Sequence, residues 1–281
     1  MGNAAPQSVK YSLAPGVGFY ARDPGAIQFG LDATRSGVAE VPDAVFLAEV
    51  LRSVVWPTPA AGLLEAMTFA GLTPAVARSL VDDLVSFGIL HSSHNSQQVA
   101  MVGRGPLSEV IGTLLAERGY VVRGPLTGEP VGDYFGKIPA SCPVIGIDQL
   151  PAAKELAGAL ATRKFTWIPV SRLDSRGIIG PLVLAGDGPC PLCVDLHRTQ
   201  VDPRWHHVIG QLPKTQPIGD PAVYYATAAH LGVILDQLCA RPSPPGSPPA
   251  RIMPGEVWDV DIFGKPQRRI MLAHPNCPVC F

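Results

Sequence analysis

Apolar and polar positions alternate through Ala26-Ile-Gln-Phe-Gly-Leu31 and again through Gly37-Val-Ala-Glu-Val41. A two-residue period is that of half-buried strands, so the two runs predict a β-hairpin joined across Asp32 to Ser36. At Pro42-Asp43 the period lengthens. Phe46, Leu47, Val50, Leu51 and Val54 fall on one helical face, and Trp56-Pro57 stops the run. A second short helix carries Leu63, Leu64, Met67 and Ala70 as far as Gly71. Thr73-Pro74 reads as an N-cap followed by a first-turn proline, opening a third helix through Leu80, Leu84 and Val85 to Phe87-Gly88. Ile89-Leu90 is a return strand. A hairpin, three helices and a return strand predict a small winged-helix-like α+β module over residues 1–97, with Ser92 to Gln98 as the linker.

From residue 98 to residue 281 the pattern becomes one of apolar runs alternating with helical periods. Val99-Ala-Met-Val102, Tyr120-Val-Val122, Pro143-Val-Ile-Gly-Ile147 and Thr166-Trp-Ile-Pro-Val170 read as strands. Helical periods lie between them, through Val110, Ile111, Leu114 and Leu115 and through Ala152 to Thr162. That order predicts an α/β, Rossmann-like domain with a largely parallel sheet. Ile178 to Leu184 adds a further strand element, Pro221 to Ala240 a long apolar helix, and Arg241 to Pro249 an extended proline-rich loop. Val257 to Ile262 and Gln267 to Leu272 form a second hairpin over Gly264.

Composition narrows the class. The chain has 281 residues, of which 16% are charged and 47% hydrophobic, with a formal net charge of −1. No apolar run approaches the ~18 residues of a membrane span, and a near-neutral chain gives no global electrostatic case for nucleic acid or anionic lipid. The first residues, Met-Gly-Asn-Ala-Ala-Pro-Gln-Ser, lack the charged and apolar regions of a secretory signal. These features together predict a cytoplasmic protein.

Cysteine spacing supplies the strongest chemical signal. Of six cysteines, four form two matched pairs, Cys190-Pro-Leu-Cys193 and Cys277-Pro-Val-Cys280. Each short loop can turn both sulfurs toward one ion, so the pairs predict a tetrahedral, closed Zn²⁺ site of structural type. Thiol–disulfide exchange is the competing reading, but it needs one exposed pair at a helix start inside a βαβ unit, whereas the pairs here are two. Cys142 and Cys239 stand alone in apolar surroundings and read as buried free thiols. His197, His206 and His207 have no carboxylate at matching spacing and read as surface or capping residues.

Two further sites are candidates. Gly103-Arg-Gly-Pro-Leu-Ser108 follows a strand and opens a helix, as a dinucleotide fingerprint would. Gly103 and Gly105 occupy the tight-turn positions and Asp148 closes a later strand, where it could serve a ligand or cap a helix. Pro106 deletes a backbone donor, Ser108 replaces the third glycine, and Arg123 stands near the place of the ribose-binding acid. A vestigial nucleotide loop is expected, with no use of ATP. In the N-terminal module, the third helix offers Arg78 but also Asp82 and Asp83, which argues against a DNA-reading helix. A strand edge beside a helix can instead take an extended peptide, here in a groove expected between the hairpin Ala26 to Val41 and the helix Thr73 to Phe87, and Gln28, Phe29, Leu31, Arg78 and Asp82 are the candidate contacts. A packing or dimerisation module is the plainer alternative. The sequence leaves the oligomeric state open, a homodimer included.

Residues 98–281 resemble the ThiF/MoeB superfamily of ubiquitin-activating-like adenylyltransferases. The whole chain looks more narrowly like the cyclodehydratase-associated ThiF-like proteins of azole-peptide biosynthesis. Gln28-Phe-Gly-Leu-Asp32, Gly180-Pro-Leu-Val183, Pro189-Cys-Pro-Leu-Cys-Val-Asp-Leu-His-Arg-Thr199, Asp202-Pro-Arg-Trp205 and His274-Pro-Asn-Cys277 carry the likeness. The resemblance implies an N-terminal module that binds the leader of a ribosomally made precursor and presents it to a YcaO-type partner enzyme. ATP-dependent adenylylation of a protein or peptide C-terminus is the alternative it leaves open, and a winged-helix interaction or DNA-binding protein is the second.

Overall fold

Asp43 begins the helical part of the N-terminal region as its sequence foretells: its carboxylate accepts the Phe46 N–H at 2.9 Å and caps α1, Ala44–Arg52. The structure, a computed structural model, describes residues 9–14, 16–31, 37–55, 57–92, 97–212, 219–241, 243–244, 247 and 251–280. The leading octapeptide, the hairpin connection 32–36, Trp56, the linker centre 93–96 and most of the proline-rich run 242–250 lie outside the described residues. The chain divides into two units, Met1–Asn95 with Ala240–Ala250, and Ser96–Cys239 with Arg251–Phe281.

In the first unit the expected hairpin is present as β3, Ala26–Phe29, and β4, Gly37–Glu40, paired antiparallel with Ile27 opposite Ala39. The stretch before it, in which the apolar pattern announces no element, holds two more strands. β2, Phe19–Asp23, joins β3 across Pro24-Gly25, and the Gly25 N–H donates to the Asp23 carboxylate at 2.8 Å. β1, Lys10–Leu13, pairs on one side with β5, Thr58–Pro59, and on the other with β6, Leu90–Ser92, which is the expected return strand. Neither early strand alternates cleanly, since only Phe19 of β2 is buried. That is why the two-residue period did not reveal them.

The second and third helices are α2, Ala60–Phe69, and α3, Pro74–Ser86, the latter capped by Thr73. One core joins Ile27 and Phe29 of the sheet to Leu47 and Leu51 of α1, to Leu63 and Met67 of α2, and to Leu80 and Leu84 of α3. Burying each of the larger side chains contributes about 1.5–3 kcal/mol.

The second unit is built on a seven-stranded sheet. Its strands are β7 (Gln98–Val102), β8 (Val121–Arg123), β9 (Val144–Ile147), β10 (Trp167–Leu173), β11 (Arg176–Ile179), β12 (Glu256–Asp261) and β13 (Gln267–Ile270), in the order β13-β12-β11-β10-β9-β7-β8. The sheet is not largely parallel. β10, β9, β7 and β8 run parallel, but β10 to β13 are antiparallel neighbours. The reason is connection length: only Asp174-Ser175 joins β10 to β11, and a parallel return needs a crossover of a dozen residues or more.

Helices cover both faces. α4, Pro106–Glu117, and α9, Pro221–Leu238, pack with Ile168, Val170 and Ile179 on one side. Gly177 lets α9 approach β11 closely, because a Cβ there would strike Thr227. On the other side α5, Val131–Lys137, and α6, Ala153–Ala161, pack Phe135 and Leu156 against Trp167. α7, Pro191–Val201, starts inside the first cysteine pair, and α8, Trp205–Ile209, follows it. Among the described residues no helix is long and apolar enough to cross a membrane.

Candidate functional site

Cys190 is the N-cap of α7 and Cys193 lies in its first turn. The first pair therefore starts a helix, as a redox pair would, but both sulfurs are buried and the second pair meets them. Cys190 Sγ lies 3.8 Å from Cys193 Sγ and 3.6 Å from Cys277 Sγ, and Cys193 Sγ lies 3.5 Å from Cys280 Sγ. All four ligand atoms fall within 4.8 Å of one another. Four thiolates at about 2.3 Å around one tetrahedral ion sit about 3.8 Å apart. The donor set and spacing thus fit Zn²⁺, and none of the four is in a disulfide.

The surroundings fit the same reading. Burial pushes the Cys193 thiol up to about 12 and raises Cys190 as well. Burial also acts to raise Cys277, but the Val279 and Cys280 backbone groups and the neighbouring thiols outweigh it and lower that group. A dication at the centre would favour all four thiolates together. Around them pack Ala157, Leu192, Leu196, Ala273 and Val279. His274, buried, accepts the Asn276 N–H at 3.1 Å and meets the His197 ring edge-on at 4.7 Å. His197 in turn lies 3.0 Å from the Leu272 carbonyl, a role in holding the second knuckle.

The run after the first pair has a physical meaning that its spacing did not show. The Asp195 carboxylate accepts the Trp205 indole N–H at 2.9 Å, and the Arg198 guanidinium lies 4.8 Å over that indole ring. His206 Nε2 approaches the second Asp195 oxygen at 3.6 Å. Asp195, Arg198 and Trp205 thereby fasten α8 to α7. Burial, and then the nearby Arg269, pull the Arg198 pKa below its usual value.

The glycine loop is real in geometry. Gly103 and Gly105 have φ of 116° and 127°, and a Cβ on Gly103 would collide with the Ile147 carbonyl oxygen. Pro106 takes the first turn of α4, so one donor is missing from that helix end. Ser108 is buried and donates to the Gly105 carbonyl at 2.9 Å. Asp148 is not a helix cap. It has φ of 53° and its carboxylate accepts the Arg172 N–H at 3.0 Å, tying the end of β9 to β10. Arg123 is exposed at the end of β8.

In the first unit the expected groove between hairpin and third helix is not the observed arrangement. The helix that packs on β2 and β3 is α1, because Val41-Pro42-Asp43 is too short to let any other helix come first; α3 packs on α2 and β6. Phe29 is buried in the core, so it does not present its side chain to a ligand. Gln28 is half-buried and its amide donates to the Gly30 carbonyl at 2.8 Å. Leu31, Arg78 and Asp82 are exposed. Among the described residues β4 pairs only with β3, so its other edge is free.

No family model and no curated protein match the chain. Solved structures of the same fold do. A heterocyclase described in complex with substrate and cofactor aligns over 97% of this chain and 40% of its own, with TM-score 0.62 and 14% identity. The heterocyclase TruD aligns over 97% of this chain and 43% of its own, with TM-score 0.57 and 14% identity. This chain therefore spans about two fifths of the length of those heterocyclases. E. coli MccB with selenomethionine MccA aligns over 96% and 99%, with TM-score 0.50 and 13% identity.

Proposed function

We propose that this chain is a peptide-presenting protein of the ThiF-like kind, whose first unit binds the leader segment of a ribosomally made precursor as an added strand beside β4. Its Rossmann-like second unit, closed by a structural zinc, would serve as the scaffold that brings the peptide to a YcaO-type enzyme. The observation that carries the reading is the free edge of β4, with Val38 and Leu31 exposed beside it. An extended peptide laid there gains ladder hydrogen bonds and apolar contact together. Leader peptides are disordered when free, and the cost of ordering them makes binding of about micromolar strength reasonable. The fold shared with two heterocyclases supports a place in peptide modification.

Two competing readings have less support. The outer face of α3 carries Arg78 with Asp82 and Asp83, all exposed, which would repel a phosphate backbone as much as attract it. Adenylylation would have to use a loop in which Pro106 removes a donor, Ser108 is bonded inward and Asp148 holds β10.

The test uses the full chain and a synthetic leader peptide of a ribosomally made azole-peptide precursor, prepared also in two forms N-methylated at alternate residues. A strand ladder uses every second amide, so one form should bind like the parent and the other should lose at least about tenfold in affinity. Equal loss in both forms, or saturable binding of duplex DNA that weakens steeply with salt, would refute the reading.

A further inference from the structure

β10 places Trp167, Pro169 and Ser171 on one face of the large sheet, while Ile168 and Val170 enter the core on the other. The first three residues line a pocket whose opposite wall comes from Leu150, Leu156 and, one turn apart on α7, Val194 and Arg198. Most of this wall is apolar, and no acidic residue lines it. Its polar groups are donors without acceptors. Ser171 is only 7% exposed, and among the described residues its hydroxyl makes no hydrogen bond. The Trp167 indole N–H is buried with no acceptor. Arg198 stacks on Trp205 and feels the charges of Arg269 and Asp195, but among the described residues its guanidinium donates no hydrogen bond and forms no ion pair. Gln149 alone is satisfied, donating to the Ile147 carbonyl at 2.8 Å.

Unpaired donors and one cation facing an apolar pocket call for a ligand with acceptors and a single negative charge. We propose that this pocket binds a small aliphatic carboxylic acid, its carboxylate on Arg198 and the Ser171 hydroxyl and its chain against Leu150, Leu156 and Pro169. A carboxylate matches the planar guanidinium fork, and Asp195 and Arg269, which both act on Arg198 from outside the pocket lining, carry opposite charges that offset one another. A phosphate dianion would leave charge uncompensated among apolar walls. None of the four cysteines and no residue of the glycine loop lines the pocket, although Pro189 and Pro191, which flank Cys190, do.

The experiment titrates the zinc-containing full chain with n-butyrate, n-hexanoate, 1-hexanol and methylphosphonate by calorimetry. Hexanoate should bind more tightly than butyrate, and hexanol and methylphosphonate should bind at least about tenfold more weakly. Arg198→Gln and Ser171→Ala should each weaken hexanoate about tenfold or more. Val194→Phe, which fills the pocket and leaves Arg198 in place, should abolish binding. Unchanged zinc content and unfolding temperature establish that a variant is folded. Hexanol binding as tightly as hexanoate, hexanoate affinity unchanged in folded Arg198→Gln and Val194→Phe, or no hexanoate binding up to about 10 mM, would overturn the proposal.

Discussion

At the scale of single residues, position in the fold decides what each candidate group can do. Cys142 is 5% exposed and its thiol lies 3.4 Å from the Gln98 carbonyl. Burial raises its pKa, with the nearby Cys239 adding to that and an Ala100 backbone group opposing it. A group whose folded pKa exceeds its unfolded value of about 8.5 keeps its contribution to stability below that pH and loses it as pH rises through the folded value. Wild-type stability should therefore fall above about pH 8.5 more steeply than that of Cys142→Ala, as read by urea denaturation. Identical pH slopes would refute this. Asp148 follows the same logic. It stands at the end of a strand, and its carboxylate accepts the Arg172 N–H. Position was legible in the sequence; the partner was not, because it lies on a neighbouring strand.

At the scale of elements, legibility followed the clarity of local signals. Pro42-Asp43 and Thr73-Pro74 marked two helix starts; Thr73 caps as expected, and Asp43 caps the other. The hairpin of β3 and β4 and that of β12 and β13 were likewise readable from alternation and turns. β1 and β2 were missed because they are short and mostly unburied, and the reversal from β10 to β11 because the turn at Asp174-Ser175 was not recognised. The expected groove failed for a different reason. Helical faces give an apolar stripe but not its partner, and connection length puts α1, not α3, on the hairpin sheet. Leu47→Ala, fully buried on α1, should cost about 2–5 kcal/mol, whereas Arg78→Ala on the outer face of α3 should stay within about 0.5 kcal/mol. Comparable losses for the two would show that the faces are misassigned. Gly103→Ala tests the junction of β7, β9 and α4. The positive φ and the Ile147 carbonyl together should cost about 1–3 kcal/mol, and a neutral effect would contradict the close approach.

At the scale of the whole molecule, the cysteine pairs show long-range organisation that spacing could announce. Two knuckles far apart in sequence converge to sulfur separations of 3.5 to 3.8 Å, each near the tetrahedral value. Purified protein should carry about one zinc per chain, lost in Cys190→Ser or Cys277→Ser and retained in Cys239→Ser. Metal analysis of freshly reduced protein checks this, and zinc-free folded protein would remove the scaffold role. The Ser171 and Arg198 pocket was invisible beforehand, since its walls come from β10, α6 and α7 and no spacing links them.

The account stands or falls on the edge of β4. Hydrogen exchange of the full chain, measured with and without a saturating precursor peptide, reads that edge directly. An added strand should slow exchange of amides within Gly37–Glu40 by at least about tenfold while leaving the exposed face of α3 unchanged. Saturated peptide with unaltered exchange at β4, or protection confined to α3, would contradict it.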